Sequence, residues 1–187
     1  MNNISKLALM SLGIVLTGCG GSPSFNALAN DLETMVEDFE GAEQTPEELM
    51  PDSGQVDYAG VAILYDPDAG DLEGITDADL LGNVALTADF DAGTMDGEMV
   101  NFRTNTNALV AGSIDVTFAT IDGNLVDGGL GGTLVIDGVD THVEGPFSGG
   151  FGGFEAELLV GEMSVERFEG LNSVGDYIGG FYAEAVE

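Results

Sequence analysis

Residues 84–102 read VALTADFDAGTMDGEMVNF, and they decide the fold. Val84, Leu86, Ala88 and Phe90 alternate with Ala85, Thr87 and Asp89, a period of two that gives a strand one apolar face. Asp91-Ala92-Gly93 then breaks the pattern with tight-turn residues, glycine supplying the positive φ. Met95 and Met99 resume on one face of a return strand and read as filling for an apolar interior rather than as metal-binding thioethers. Two strands joined this closely are antiparallel neighbours.

The same signature recurs downstream. Ile114, Val116 and Phe118 alternate with Ser113, Asp115 and Thr117, which predicts all three apolar side chains inside, and Asp122-Gly123 and Asp137-Gly138 supply further turns. About eight strands are predicted, at 55–65, 82–91, 94–102, 109–120, 123–127 joined to 130–137, 139–146, 153–162 and 178–186. The 29 glycines, against 5 prolines and no repeating triplet, exclude collagen and suit a turn-rich all-β chain. Eight short-linked strands close into an antiparallel up-and-down barrel, filled by its own side chains and free of open edges. Asp89, Asp115, Glu155 and Glu157 fall on the face opposite the apolar residues, so water rather than lipid surrounds it. The barrel is expected over residues 55–187.

Upstream the period changes to that of a helix. Phe25, Leu28, Leu32, Met35, Val36 and Phe39 recur at three- and four-residue steps, Ser24 or Asn26 can cap the start, and Gly41 suits the end. This one N-terminal amphipathic helix and a linker occupy residues 25–54 and are expected to pack on the domain. Residues 1–18 read as an export signal: Lys6 is the positive region, and Leu7 to Leu16 form an apolar run too short to span a bilayer. Leu16-Thr17-Gly18-Cys19 resembles the lipobox of bacterial lipoproteins, which implies that Cys19 becomes an acylated N-terminus holding the chain to a membrane through a tether at 19–24. Gly20 follows where an aspartate would have resembled inner-membrane retention, which favours the outer membrane.

Charge narrows the functions. The chain has 34 acidic residues against 3 basic ones, and loss of residues 1–18 removes its one lysine. Nucleic acid is excluded as a partner, because phosphate binding needs basic side chains. Schiff-base chemistry and a P-loop go with the lysine, and thiol catalysis goes with the single cysteine committed to lipid.

Residues 84–102 resemble the hairpin of the transferrin-binding protein B family β-barrel domain: Asp89-Phe90, Gly93, Gly97 and Asn101-Phe102 follow that family's order. Residues 147–154 (FSGGFGGF) with Glu155-Ala156-Glu157, and 179–184 (GGFYAE), are similar to its glycine-aromatic-small strand endings, and Tyr58-Ala59-Gly60 is a weaker match. The likeness covers about residues 55–187 and implies an extracellular or outer-leaflet barrel binding a protein or small ligand through its loops. It does not imply transferrin, since the large receptors pair each of two barrels with a handle domain, and residues 25–54 offer only a helix. No ligand-contacting residue carries over.

Candidate sites are few. Asp66, Asp68, Asp71 and Glu73 put four carboxylates in one turn-like segment, a donor set that suits calcium, although Gly70 stands where a third ligand of the twelve-residue calcium loop belongs. His142 falls on the polar face of its strand near Asp140 and Glu144 and reads as a surface histidine. Arg103 and Arg167 are expected among carboxylates. The function expected is a non-catalytic, lipid-anchored outer-membrane binding module needing no cofactor, the four carboxylates reading either as a calcium loop or as a solvated acidic loop. The alternatives are a structural or periplasmic acidic lipoprotein without a specific partner and, more weakly, a carboxylate-dependent hydrolase.

Overall fold

The computed structural model describes residues 22–68 and 74–186. The proposed signal, Cys19, the first residues of the tether, Asp71 and Glu73 lie outside them. Helix α1 (Phe25–Glu40) leads through a 3-10 turn (Glu47–Leu49) into eight strands: β1 (Gln55–Tyr65), β2 (Leu80–Asp89), β3 (Thr94–Thr104), β4 (Ala111–Asp122), β5 (Leu125–Ile136), β6 (Val139–Gly152), β7 (Leu158–Glu169) and β8 (Asn172–Ala185). Each pairs antiparallel with its sequence neighbour, and β8 closes on β1 from Tyr58↔Ala185 to Tyr65↔Ile178. It is the eight-stranded up-and-down barrel expected from the sequence.

The interior is packed. Tyr58, Met95, Met99, Phe102, Phe147, Phe151 and Phe181 are all at most 4% exposed and belong to one cluster inside the strands. A second cluster lies outside the wall, where Phe25, Leu28, Leu32 and Met35 of α1 cover Val61, Ile63 and Leu81. β1 is therefore buried on both faces, Ala62 and Leu64 inward and Val61 and Ile63 under the helix, and this is why YAGVAILY is almost unbroken apolar sequence. Ser24 caps α1 by accepting from the Ala27 amide at 3.2 Å, and Gly41 ends it.

The segment after α1 is a plug rather than a free linker. The Thr45 amide donates to the Phe151 carbonyl at 2.9 Å, its hydroxyl to the Gly153 carbonyl at 2.9 Å, and Asn124 Nδ2 to the Thr45 carbonyl at 2.6 Å. Met50 packs on the interior cluster behind it. Tyr58 donates its hydroxyl to the Ala156 carbonyl at 2.6 Å, and burial, with Glu157 adding to it, pushes its pKa well above the usual phenol value. We call this the plug end. The opposite end, where α1 begins, is the clamp end: Arg103 Nε donates to the Pro23 carbonyl at 2.9 Å and Nη2 to that of Ser22 at 3.3 Å, while the Phe25 amide donates to Asn107 Oδ1 at 2.9 Å.

Four expectations are corrected. Phe118 faces outward, 67% exposed, because a bulge between Val116 and Phe118 reverses the alternation and turns Ala119 inward instead. Residues 153–157 form a connection, so Glu155 and Glu157 lie on a loop, the Glu155 amide donating to Glu157 Oε2 at 2.6 Å. β7 and β8 accordingly start elsewhere than expected and meet at an unforeseen turn at Gly170-Leu171. Among the described residues Arg103 binds carbonyls, not carboxylates, because the non-helical approach to α1 leaves backbone oxygens that need donors.

Register also lines acids up. Glu98 faces Asp115, Glu144 faces Glu166, and Glu166 faces Asp176, pairs of like charge directly opposed on neighbouring strands. Glu184 has its pKa raised by burial and then by Asp38 on α1. A carboxyl whose folded pKa lies above its unfolded one weakens the fold at neutral pH, and that loss is recovered as pH falls through the folded value. Asp89 works the other way: Gln55 Nε2 and the Ala92 amide, each at 2.8 Å, hold its pKa below the usual carboxylate range, so its contribution is lost only at more acidic pH. The melting temperature is thus expected to rise between pH 7 and 5, and Glu184→Gln to raise it at pH 7 by about 2 °C, under about 1 kcal/mol after solvent screening. Calorimetry across that range checks both, and a melting temperature falling steadily from pH 7 to 5 would refute the first.

Candidate binding surface

The outward side chains of β5–β8 are ordered by register into rows. One row is apolar: Leu125↔Gly150↔Val160↔Tyr182. The next alternates acid and small residue: Asp127↔Ser148↔Glu162↔Gly180. α1 does not reach this part of the wall, but its last turn borders it, Phe39 standing edge-on to Tyr182 with centroids 5.3 Å apart. The result is a groove of about 630 Å³ near the plug end, with Gly150 and Val160 as floor, Phe39 and Gln44 along one side and Leu125 along the other. Leu125 is 48% exposed, an apolar side chain held in water.

The groove continues across the wall past Pro146 and Ile178 toward Phe118, which lies over Gly129 where a Cβ would fill the ring's place. Glu43, Asp127 and Glu162 rim it, and no cationic side chain lines it among the described residues. Such a surface can take an extended segment whose apolar side chains meet Leu125, Val160 and Tyr182 while positive groups meet the rim.

The residues expected to carry chemistry lie elsewhere. Asp66 and Asp68 are at the clamp end, where Asp66 Oδ2 pairs with Arg167 Nη2 at 2.7 Å and Oδ1 accepts from the Asp68 amide at 2.9 Å. Arg167 also stacks over Tyr177, 4.3 Å from the ring centroid, and so fastens the β1–β2 connection to the β7–β8 hairpin. Among the described residues no group of three or more His, Cys, Asp or Glu side chains is placed to hold a metal. His142 is on the surface, 3.4 Å from Glu144 Oε2, with its ring 6.2 Å from that of Phe168. Leu125, Val160 and Tyr182 were not singled out from sequence. Their signal is apolar residues in both phases of one strand, as in Leu158-Leu159-Val160.

A closed eight-stranded barrel with a plugged interior and an apolar groove on its wall defines a domain of the single-barrel type. Residues 50–185 match the family described as the C-lobe and N-lobe β-barrels of transferrin-binding protein B, and the chain belongs to that family. Its fold is similar to that of a tryptophan-to-alanine variant of transferrin-binding protein B from Haemophilus parasuis Hp5, at 19% identity and a TM-score of 0.53, covering 78% of this chain and 29% of that one. Transferrin-binding protein B of isotype 1 from serogroup B Neisseria meningitidis is 20% identical at a TM-score of 0.49, covering 76% of this chain and 28% of that one. The chain therefore spans less than a third of the length of these solved relatives. No curated protein matches it. The family is one of binding proteins, not of enzymes.

Proposed function

We propose that this chain is a non-catalytic outer-membrane lipoprotein, anchored through Cys19, that holds its barrel outside the cell and captures a cationic protein segment in the groove between α1 and β5. The observation that carries this reading is the apolar row Leu125, Val160 and Tyr182 bordered by Asp127 and Glu162. Membership of a family named for binding a protein supports the class of function. Transferrin itself is not carried over, since the relatives named for it are more than three times as long as the part matched.

Fluorescence anisotropy of a labelled peptide alternating lysine with leucine, at physiological salt, tests it. Because any strongly acidic protein attracts a polycation, the control is a charge-matched pair elsewhere, Asp96→Asn with Glu98→Gln on β3. Leu125→Ser with Val160→Ser, and separately Asp127→Asn with Glu162→Gln, are each expected to weaken binding about tenfold or more, about 1.4 kcal/mol. The β3 pair is expected to change it little. Equal losses from the β3 pair and the groove pair, or none from the serine pair, would refute the groove as the site.

A further inference from the structure

We propose that the segment captured here lies extended along β6 and turns to the barrel a face that reads apolar, basic, apolar, basic at every second residue. The proposal rests on the reading of the groove given above and deepens it by assigning the ligand a pattern and an axis. The outward residues of β6 are small over one stretch, at Gly150, Ser148 and Pro146. They form the floor of three successive hollows of about 630, 730 and 790 Å³. The first two share Asp127, Ser148 and Glu162, and the last two share Pro146 and Ser164. The trough therefore runs with the strand and not along the rows of the register.

A ligand lying this way crosses the rows in turn. The first is apolar at Leu125 and Val160, and the second acidic at Asp127 and Glu162. The third is apolar again: Phe118 faces Gly129, Gly129 faces Pro146, and Ser164 faces Ile178. The fourth is acidic, Asp115↔Gly131↔Glu144↔Glu166↔Asp176, with His142 bordering it 3.4 Å from Glu144 Oε2. Successive rows are two residues apart on each strand, about 6.6 Å, which is also the distance between same-face side chains of an extended peptide. Four rows thus span about seven ligand residues. The alternation belongs to this wall: on β2 and β3 the acids Asp96 and Glu98 stand in successive rows, opposite Thr87 and Ala85. In the free protein both kinds of row are unfavourable. Phe118 is 67% exposed, and like charges stand directly opposed from Glu144 through Glu166 to Asp176. A segment alternating apolar and basic side chains on one face offsets both. A second copy of this chain lacks the basic half of that pattern, since among its described residues Arg103 and Arg167 are each engaged within their own fold.

Two labelled peptides of identical composition test it by fluorescence anisotropy at physiological salt. One repeats Leu-Thr-Lys-Thr three times and presents the proposed face in either chain direction. The other carries three leucines and then three lysines at alternate positions, with threonine between them. Equal charge makes the general attraction of an acidic protein the same for both. The repeating peptide is expected to bind about tenfold tighter than the blocked one. That preference is expected to vanish with Phe118→Ser plus Ile178→Ser, and with Glu144→Gln plus Glu166→Gln, and to survive Asp96→Asn plus Glu98→Gln. All six side chains are exposed, and melting temperatures no lower than that of the wild type establish folding. Equal affinity of the two peptides, while Leu125→Ser plus Val160→Ser still weakens both, overturns the row pattern and leaves the groove standing. A preference that survives the Phe118 and Glu144 pairs overturns the course along β6. No effect of any of these wall variants on either peptide overturns the groove and the pattern together. A free protein that is dimeric by light scattering and becomes monomeric with Phe118→Ser plus Ile178→Ser gives the trough to a second copy and overturns the cationic segment as its occupant.

Discussion

Replacing Phe181 with alanine is expected to destabilise the barrel by about 3–5 kcal/mol and to lower its melting temperature by about 10 °C or more. Phe181 is fully buried on β8, its ring 6.0 Å from that of Phe147, and it occupies the space that a side chain on Gly161 would take. Neighbouring strands cannot collapse into the hole, because both are held in continuous ladders of the closed sheet. The pairing with Gly161 gives a stricter test than the loss alone. Gly161→Ala is expected to destabilise the wild type, where its methyl meets the ring, and to be neutral or stabilising beside Phe181→Ala, where it fills the void. Denaturant unfolding followed by circular dichroism reads all four variants. A cost under about 1 kcal/mol for Phe181→Ala, or additive effects in the pair, would mean that the interior is not packed as described.

Gly60→Ala is expected to cost about 3 kcal/mol or more, and in a different manner. A methyl group there would meet the backbone of Tyr182 and Ala183 across the seam between β1 and β8. Flexible side chains can yield to a new methyl, but a carbonyl already in the ladder can yield only by moving its strand. Opening this seam exposes two strand edges at once, and unpaired edges template association. Gly60→Ala is therefore expected to aggregate on heating where Phe181→Ala unfolds as a monomer. Light scattering during the melt separates the two, and a soluble, near-wild-type Gly60→Ala would place the barrel closure elsewhere.

The hairpin at 84–102 was legible because its local choices agreed: alternation in β2, a turn of Asp and Gly, and methionines on one face of β3 as far as a bulge at Asn101 that brings Phe102 inward with them. Phe118 was not, since a single extra residue in β4 reverses its face and leaves no trace in composition. The run FSGGFGGF hid the end of β6 for a related reason: glycine has no side chain with which to display a phase. α1 was legible from its stripe, and its landing place was written in β1, whose two buried faces are an unbroken apolar stretch. The groove was least legible, being assembled from outward residues on four strands and the end of a helix, which only the register brings together. Arg103 was misplaced because an excess of acids makes a carboxylate the expected partner, whereas geometry offered carbonyls first.

The central claim is that the folded barrel stands on the outside of an outer membrane, where a partner can reach its groove. Protease shaving of intact cells producing the full chain, with an antibody against the barrel and a soluble periplasmic protein as control, tests it most directly. The account predicts that the barrel is lost while the control survives, and that Cys19→Ser abolishes this by releasing the barrel from the membrane. Protection of the barrel until the outer membrane is opened would contradict it and place the groove, and whatever it holds, inside the envelope.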